Sequence, residues 1–538
     1  MAKEKEQEYT FWTDKIAQSI ITRKRFHYTD DKIPKFKKFV VKTSASISGV
    51  LHIGRLSDTI RGDAVFKSLK DSGVKPELIW VAEDMDPLRK VPEGVPKSYV
   101  EFIGMPVTDI PDPDGCHKSY ADHHVSKYYK VLNQFISTKM AKFSMRKEYK
   151  KGSFNKYIKL LLDNIDRLRE IQNKYRTNKL PEDWSPWTPI CDNCGKIITP
   201  RVVGVQKGKV EYRCKDYKFE KNVAKGCGYE GENDPLKGNG KLLWKSEWAA
   251  QWTRWNVCSE GAGKEYQVPG SAFWINGEIA EKILKYPMPV PIFYEHLTIN
   301  GEKMSASVGN VMYPYDWLEV ATPELLRLLY LKDPMRVRDF RWEFVPNMME
   351  ELDELGKVYY GIKKVQNKRD EITMKRLYEL IQLRSIPRKY NPAISYSLLL
   401  EIARILPDKN QKKFALQKLK EYGHIKKPNK ELEDILAERL EFTKNLTKKL
   451  QRELREIKLS EKEKAMIKDI ADMIRKESNP ELIQTKTFEI IKKNGLQVPE
   501  GFKLIYNIIL NSDRGPRLGT YVIERGKSEI IKKLESVL

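Results

Sequence analysis

Residues 36–55 read FKKFVVKTSASISGVLHIGR, and the order of residue types along them decides the fold class. Phe36 to Val41 is a short β-like run. From Gly49 the spacing turns helical and stays so through Leu69, and Leu78-Ile79-Trp80-Val81-Ala82 is a second compact apolar run. Strand, helix and strand at this spacing form a βαβ unit, which predicts a parallel sheet with ligands at the carboxyl ends of its strands. Ser48 and Gly49 fall at the strand-to-helix turn, with His52 and Gly54 in the first turns of the helix. Free N–H groups and the positive end of the dipole make such a helix start a phosphate site. His52 adds a side-chain donor, and Gly54, lacking a side chain, lets a flat ring lie close on the backbone.

A second string, EKMSASVGN, runs from Glu302 to Asn310. It supplies one cation, two hydroxyls and a flexible Gly-Asn end, groups suited to gripping a polyphosphate from a loop. Each string alone is an ordinary turn. Together, in this order and flanking an interruption, they are expected to form one site.

The interruption runs from Cys191 to about Asp234, where the texture changes to Gly, Lys and Cys with short β-like runs. Cys191-Asp-Asn-Cys194 is a C-x2-C knuckle; Cys214 and Cys227 are its partners, with twelve residues between them in place of two. Four thiolates with no spare position make a structural Zn²⁺ centre, and no histidine between 125 and 295 offers another ligand. Cys116 and Cys258 stand apart and are expected to be structural.

The 538 residues are too many for one core, and the formal charge of +24 favours polyanionic partners, nucleic acid above all. The charged start MAKEKEQEYT is no signal peptide, and no apolar run approaches the roughly 18 residues that span a bilayer. A cytoplasmic protein without membrane contact is expected, acting as a monomer. Helical spacing is read from Phe154 to about Arg176. It returns beyond Asp333-Pro334, where Leu446, Leu450, Leu454 and Ile457, then Ile467, Ile470 and Ile474, keep one face apolar.

HIGR at 52–55 and KMSAS at 303–307 are similar to the HIGH and KMSKS motifs of class I aminoacyl-tRNA synthetases. Further stretches make the likeness closer: FWTDKIA at 11–17, EDMDPLRKVP at 83–92, PDPDGCH at 111–117, the cysteine knuckles, Trp248 to Trp252, Gly263-Lys264 and RGPRLG at 514–519. With these, the chain resembles the class I lysyl-tRNA synthetases along most of its length. The resemblance implies an α/β fold: a Rossmann-like parallel-sheet catalytic domain with an inserted zinc-ribbon module, then an all-α C-terminal anticodon-binding region. The implied boundaries are 1–110 and 242–332 for the two catalytic halves, 111–241 for the insertion with its ribbon at 191–234, and 333–538 for the helical tRNA-binding region.

The implied activity is ATP-dependent formation of lysyl-adenylate with release of pyrophosphate, then transfer to the 2′-OH of the tRNA terminal adenosine. ATP, Mg²⁺, lysine and lysine-isoacceptor tRNA are the implied substrates and partners, with structural Zn²⁺. On the matching positions, His52, Gly54, Lys303, Ser305 and Ser307 carry the catalytic role. Ser48, Gly49, Arg55 and Met304 join them around ATP. Ser44, Ser46, Trp248 and Tyr266 line the amino-acid pocket, and Glu83, Asp84, Asp86 and Glu265 are the carboxylates offered to the substrate's ammonium groups. Arg514, Arg517, Tyr521 and Tyr506 are offered to tRNA. The chain departs from the family pattern at Arg55, usually Asn, at Ala306 and Val308, and at Glu265-Tyr266, usually Asp-His. These departures leave two other outcomes open, a non-catalytic tRNA-binding paralogue and an adenylating enzyme for another amino acid.

Overall fold

The computed structural model describes residues 11–47, 49–92, 94–304, 311–390, 394–407, 409–425, 428–451, 459–510, 513 and 515–538. Five strands build its main sheet: β1 (Phe39–Ser46), β2 (Pro76–Glu83), β3 (Ala141–Ser144), β4 (Val257–Gly263) and β5 (Val290–Tyr294). All neighbouring pairs are parallel, in the order 3-2-1-4-5. A parallel sheet needs helices on both faces, so its strands are buried on both sides. The two cores show the alternation this requires. Val41, Leu78, Cys258 and Ile292 pack on one face with Ala17 and Ile20 of α1 (Trp12–Thr22) and Val65 and Leu69 of α2 (Ile53–Asp71). Val40, Ile79, Val81 and Val257 pack on the other with Trp248 and Trp252 of α3 (Trp244–Trp255) and Phe273 and Ile279 of α4 (Ala272–Lys282).

β1 runs five residues past the apolar stretch that announces it, through Lys42, Thr43, Ser44, Ala45 and Ser46. Lys42 is fully buried there because Glu260 of the neighbouring strand lies beside it in register and pairs with it. The helix expected from Phe154 to Arg176 is two, Asn155–Leu162 and Ile165–Asn173. Across the turn at Asp163-Asn164, Ile158, Leu161, Leu168 and Ile171 still pack into a single core.

Contacts divide the chain into two compact units. One comprises Met1–Tyr315, Pro323–Phe340 and Gly361–Ile386; the other comprises Asp316–Thr322, Arg341–Tyr360 and Pro387–Leu538. In the first, α5 (Pro323–Leu331) carries Arg327, whose fully buried guanidinium donates to Asp63 Oδ2 at 2.7 Å and to the Phe135 and Leu380 carbonyls. Leu380 belongs to helix Lys368–Ile381, which is tied again through Arg376 to Asp14 at 2.8 Å. The stretch beyond 333 is therefore not uniformly helical or separate: Arg338–Phe340 pairs with Leu297–Ile299, and residues 361–386 join the sheet-bearing unit.

The second unit is helical, with one core around Leu399, Leu419, Leu436 and Leu440 and another around Ile467, Ile470, Ile474 and Ile505. Leu446 is buried as its periodicity requires, whereas Leu454 and Ile457 lie outside the described residues. Arg439 grips Asp353 through both carboxylate oxygens, at 2.5 and 2.7 Å, and bonds the Ile394 carbonyl. No described helix is long and apolar enough to cross a membrane.

Candidate active site and metal centres

A strand order of 3-2-1-4-5 reverses direction between β1 and β4, and the crevice outside the carboxyl ends of those two strands is where such sheets bind ligands. A cavity of about 350 Å³ opens there. Ser44 and Ser46 reach it from the end of β1, Gly261 to Gly263 from the end of β4, and Tyr294 from the end of β5. His52, Gly54, Arg55 and Asp58 enter from the start of α2, Trp248 from α3, and Lys303 and Met304 from the second string. The strings 250 residues apart thus meet on one cavity, together with Glu265 and Tyr266.

His52 is the N-cap of α2, and its Nδ1 accepts the Gly54 N–H at 3.2 Å. Burial, with Arg55 nearby, pushes its pKa down to about 4, so the ring is neutral near pH 7. A neutral imidazole whose Nδ1 accepts must carry its proton on Nε2, which makes that nitrogen a donor. Gly54 is required by close approach: a Cβ there would lie 2.9 Å from both the His52 ring and the Met304 Cε. Ser48, Ser305 and Ser307 lie outside the described residues.

The floor of the cavity is acidic. Asp58, one helical turn after Gly54, accepts the Ser44 N–H through Oδ2 at 3.1 Å, while its buried Oδ1 has no hydrogen-bond partner among the described residues. Burial and the neighbouring Glu260 raise its pKa to about 7. Gly261 leaves room for that carboxylate, since a Cβ on it would meet Asp58 Oδ1 at 1.8 Å. Glu83 also lines the cavity; burial raises its pKa, and Gln251 Nε2 donates to both its oxygens at 3.1 Å. Trp248 is 3% exposed, stacks on Trp244 with centroids 4.6 Å apart, and holds a buried indole N–H with no hydrogen-bond partner among the described residues. Asp84 and Asp86, offered by the sequence for the same pocket, do not reach it. Asp84 accepts the Arg146 N–H at 2.9 Å, and Asp86 is bound by Lys241 at 3.2 Å. Glu265 does line the cavity, at its exposed rim, where it meets His296 Nε2 at 3.1 Å.

A family model described as tRNA synthetases class I (K) matches residues 10–384. Across 547 residues the chain is 31% identical to the lysine–tRNA ligase of Methanocaldococcus jannaschii, covering 97% of this chain and 99% of that protein. The chain belongs to the class I (K) tRNA synthetases. It is also similar to the lysine–tRNA ligases of Methanosphaera stadtmanae, 28% identical with 97% and 98% covered, and of Cenarchaeum symbiosum, 31% identical with 96% and 97% covered.

Among the described residues of this synthetase, two donor sets could hold a metal. Cys191, Cys194, Cys214 and Cys227 place their sulfurs within 4.8 Å of one another, with Cys191–Cys227 at 3.6 Å and Cys194–Cys214 at 3.7 Å. A disulfide would need about 2.05 Å. A tetrahedron with Zn–S bonds of about 2.3 Å has edges of about 3.8 Å, so the set fits a closed four-sulfur Zn²⁺ centre. The long spacer between Cys214 and Cys227 folds as a hairpin, Tyr217–Lys218 against Val223–Ala224, that returns the chain to the cluster. Cys227 N then donates to Cys214 Sγ at 3.3 Å.

Cys116, expected to stand apart, does not. Its Sγ lies 3.0 Å from His117 Nδ1 and 3.3 Å from His123 Nδ1, and Asp112 Oδ1 is 3.0 Å from the same His123 nitrogen. Asp112, Cys116, His117 and His123 form a second set within 4.8 Å, a sulfur, oxygen and two-nitrogen combination that also suits Zn²⁺. The spacing D-x3-C-H-x5-H at 112–123 was the signal for it.

Of the residues offered to tRNA, Arg514 lies outside the described residues, and Arg517 is exposed and paired with Glu481. Tyr521 is 1% exposed inside an apolar core, and Tyr506 spends its hydroxyl on the Pro516 carbonyl. Neither presents a ring face for a base to stack on. Among the cavity's acids, Asp58 and Glu260 are the two that sequence reasoning missed. Asp58 had one available signal, its position four residues after Gly54 and so on the same helix face.

Proposed function

We propose that this chain joins lysine to tRNA in two steps, forming lysyl-adenylate from ATP and then passing the lysyl group to the 2′-OH of the tRNA terminal adenosine. The observation that carries the reading is the cavity between β1 and β4, which combines a neutral imidazole donor at a helix N-terminus with an acidic, tryptophan-walled floor. The adenine and ribose lie over Gly54, with the phosphates toward His52 Nε2–H, the first N–H groups of α2 and Lys303. The amino-acid carboxylate attacks the α-phosphate, and the bond to the β-phosphate oxygen breaks, releasing pyrophosphate. Positioning and charge stabilisation drive such a step, so no general base is needed. Mg²⁺ enters with ATP as the counter-ion of its phosphates, bound mostly by phosphate oxygens and water.

Lysine brings two ammonium groups and an alkyl stem. Asp58 Oδ1, the unpartnered buried acceptor, takes one ammonium and Glu83 supports the other, while Trp248 walls the stem. The helical unit, in a chain of formal charge +24, contributes the tRNA-binding surface. Pyrophosphate exchange measured across all the common amino acids, with and without tRNA, tests the reading. Exchange with lysine alone is expected. No exchange with any amino acid would sink the enzymatic reading, and exchange with another amino acid would sink the specificity.

A further inference from the structure

Parallel sheets buried on both faces read as near-continuous apolar runs, and Lys42, midway along the central strand β1, breaks that rule. Its side chain is fully buried, and a buried ammonium persists only when opposite charge and hydrogen bonds hold it. Both are present. Lys42 Nζ lies 2.5 Å from Glu260 Oε1 and 3.7 Å from Glu83 Oε1. Trp252 Nε1 donates to the other Glu260 oxygen, so each oxygen of Glu260 has a partner. Burial disfavours the Lys42 ammonium, but Glu260 and Glu83 outweigh it and hold the group charged.

Glu260 and Glu83 are also walls of the cavity, beside Asp58. Burial raises the pKa of Asp58 to about 7 and that of Glu83 to about 8, so both ionise fully only when a cation joins them; with all three ionised, the carboxylates exceed the Lys42 ammonium by two negative charges. That surplus matches the two ammonium groups of a lysine whose carboxylate is consumed in the adenylate. We propose that Lys42 is a positioning residue for amino-acid recognition: a built-in counter-cation that pins Glu260 against the sheet and leaves the remaining two charges, on Asp58 and Glu83, for the substrate. This rests on the lysine reading above. Lys42 itself touches no reacting atom.

Without the Lys42 ammonium, three carboxylates would crowd one buried floor. Such a site relieves itself by protonating one acid or swinging one into the space the substrate needs, and either costs an acceptor. Removing the Glu260 charge at the same time restores the balance. The test uses the full chain with Lys42→Met, Glu260→Gln and the double variant, following lysine-dependent pyrophosphate exchange and thermal unfolding. Lys42→Met is expected to raise the lysine KM roughly tenfold or more while the ATP KM stays within about twofold, and the double variant to recover most of that loss. Glu260→Gln alone, which leaves a single surplus negative charge, is expected to raise the lysine KM with the ATP KM unchanged. This variant keeps the test decisive if Lys42→Met does not fold. A double variant no better than Lys42→Met, a parallel rise in both KM values, or an unchanged lysine KM in Glu260→Gln would overturn the proposal. Wild-type exchange with lysine survives all three outcomes; its absence would instead overturn the lysine reading.

Discussion

At the residue scale, the two groups that matter most are held in protonation states that ordinary side chains do not have. His52 is neutral down to about pH 4 because burial and Arg55 penalise its cation, and its Nδ1 is committed to Gly54 N–H. In the free enzyme, His52 is therefore expected to contribute no titration to kcat/KM for ATP between pH 6 and 8. His52→Ala, which removes a donor aimed at developing charge, is expected to lower exchange by roughly 10²-fold with tRNA binding little changed. A rate near wild type would remove His52 from the phosphate site. Asp58 is shifted the other way, to about 7. It is protonated below that pH and an anion above it, so kcat/KM for lysine is expected to rise as pH increases through about 7. Asp58→Asn should raise the lysine KM and remove the limb near pH 7, leaving that of Glu83, whose pKa burial raises to about 8; a profile unchanged in the variant would assign the titration elsewhere. The motif residues were legible because HIGR and KMSAS are contiguous. Asp58, Glu260 and the buried pair with Lys42 were not, since a charge in a strand looks like a strand end until its partner from another strand is in place.

At the scale of elements, the two donor sets organise short segments that have little apolar material of their own. The ribbon strands Pro200–Gln206, Lys209–Cys214 and Glu230–Asn233 lend Val202, Val205 and Val210 to the main core and keep a small core of Tyr212 and the cysteines, so metal should supply part of their stability. Purified protein is expected to contain two Zn²⁺ per chain. Cys194→Ser should lose one equivalent and lower the unfolding temperature, and His123→Ala should lose the other. A full complement in either variant would refute that ligand set. Cysteine spacing revealed the first set because a C-x2-C knuckle is a local pattern. The second set uses one cysteine and one carboxylate with two histidines, each unremarkable alone, and only the loop at 112–117 folding onto the helix Tyr120–Leu132 brings them together.

At the scale of the whole molecule, chain order and spatial grouping do not coincide. Helix Lys368–Ile381 lies beyond the strand-bearing region in sequence yet belongs to the sheet-bearing unit, held by the Arg376–Asp14 pair and by Arg327 to the Leu380 carbonyl. A chain ending at 332 is thus expected to unfold at a lower temperature than one ending at 386. Loss of those bonds leaves Asp14 without Arg376 and the fully buried Arg327 guanidinium short of one acceptor, and breaking buried ionic networks costs about 3–5 kcal/mol. Equal unfolding temperatures would place the boundary back near 333. The sequence by itself determined the βα alternation, the strand-to-helix turn with His52 and Gly54, the cysteine cluster and the family, because each of these is written in neighbouring residues or in fixed local spacings. Only the tertiary structure decided which acids line the cavity, that Lys42 is buried, that Asp112, Cys116, His117 and His123 converge, and which helices belong to which unit. The cavity's acids, the burial of Lys42 and the helix grouping depend on contacts between segments tens to hundreds of residues apart, where a charge is stable or ruinous according to a partner that local pattern does not reveal, whereas the set at 112–123 depends on a loop closing onto the helix that follows it.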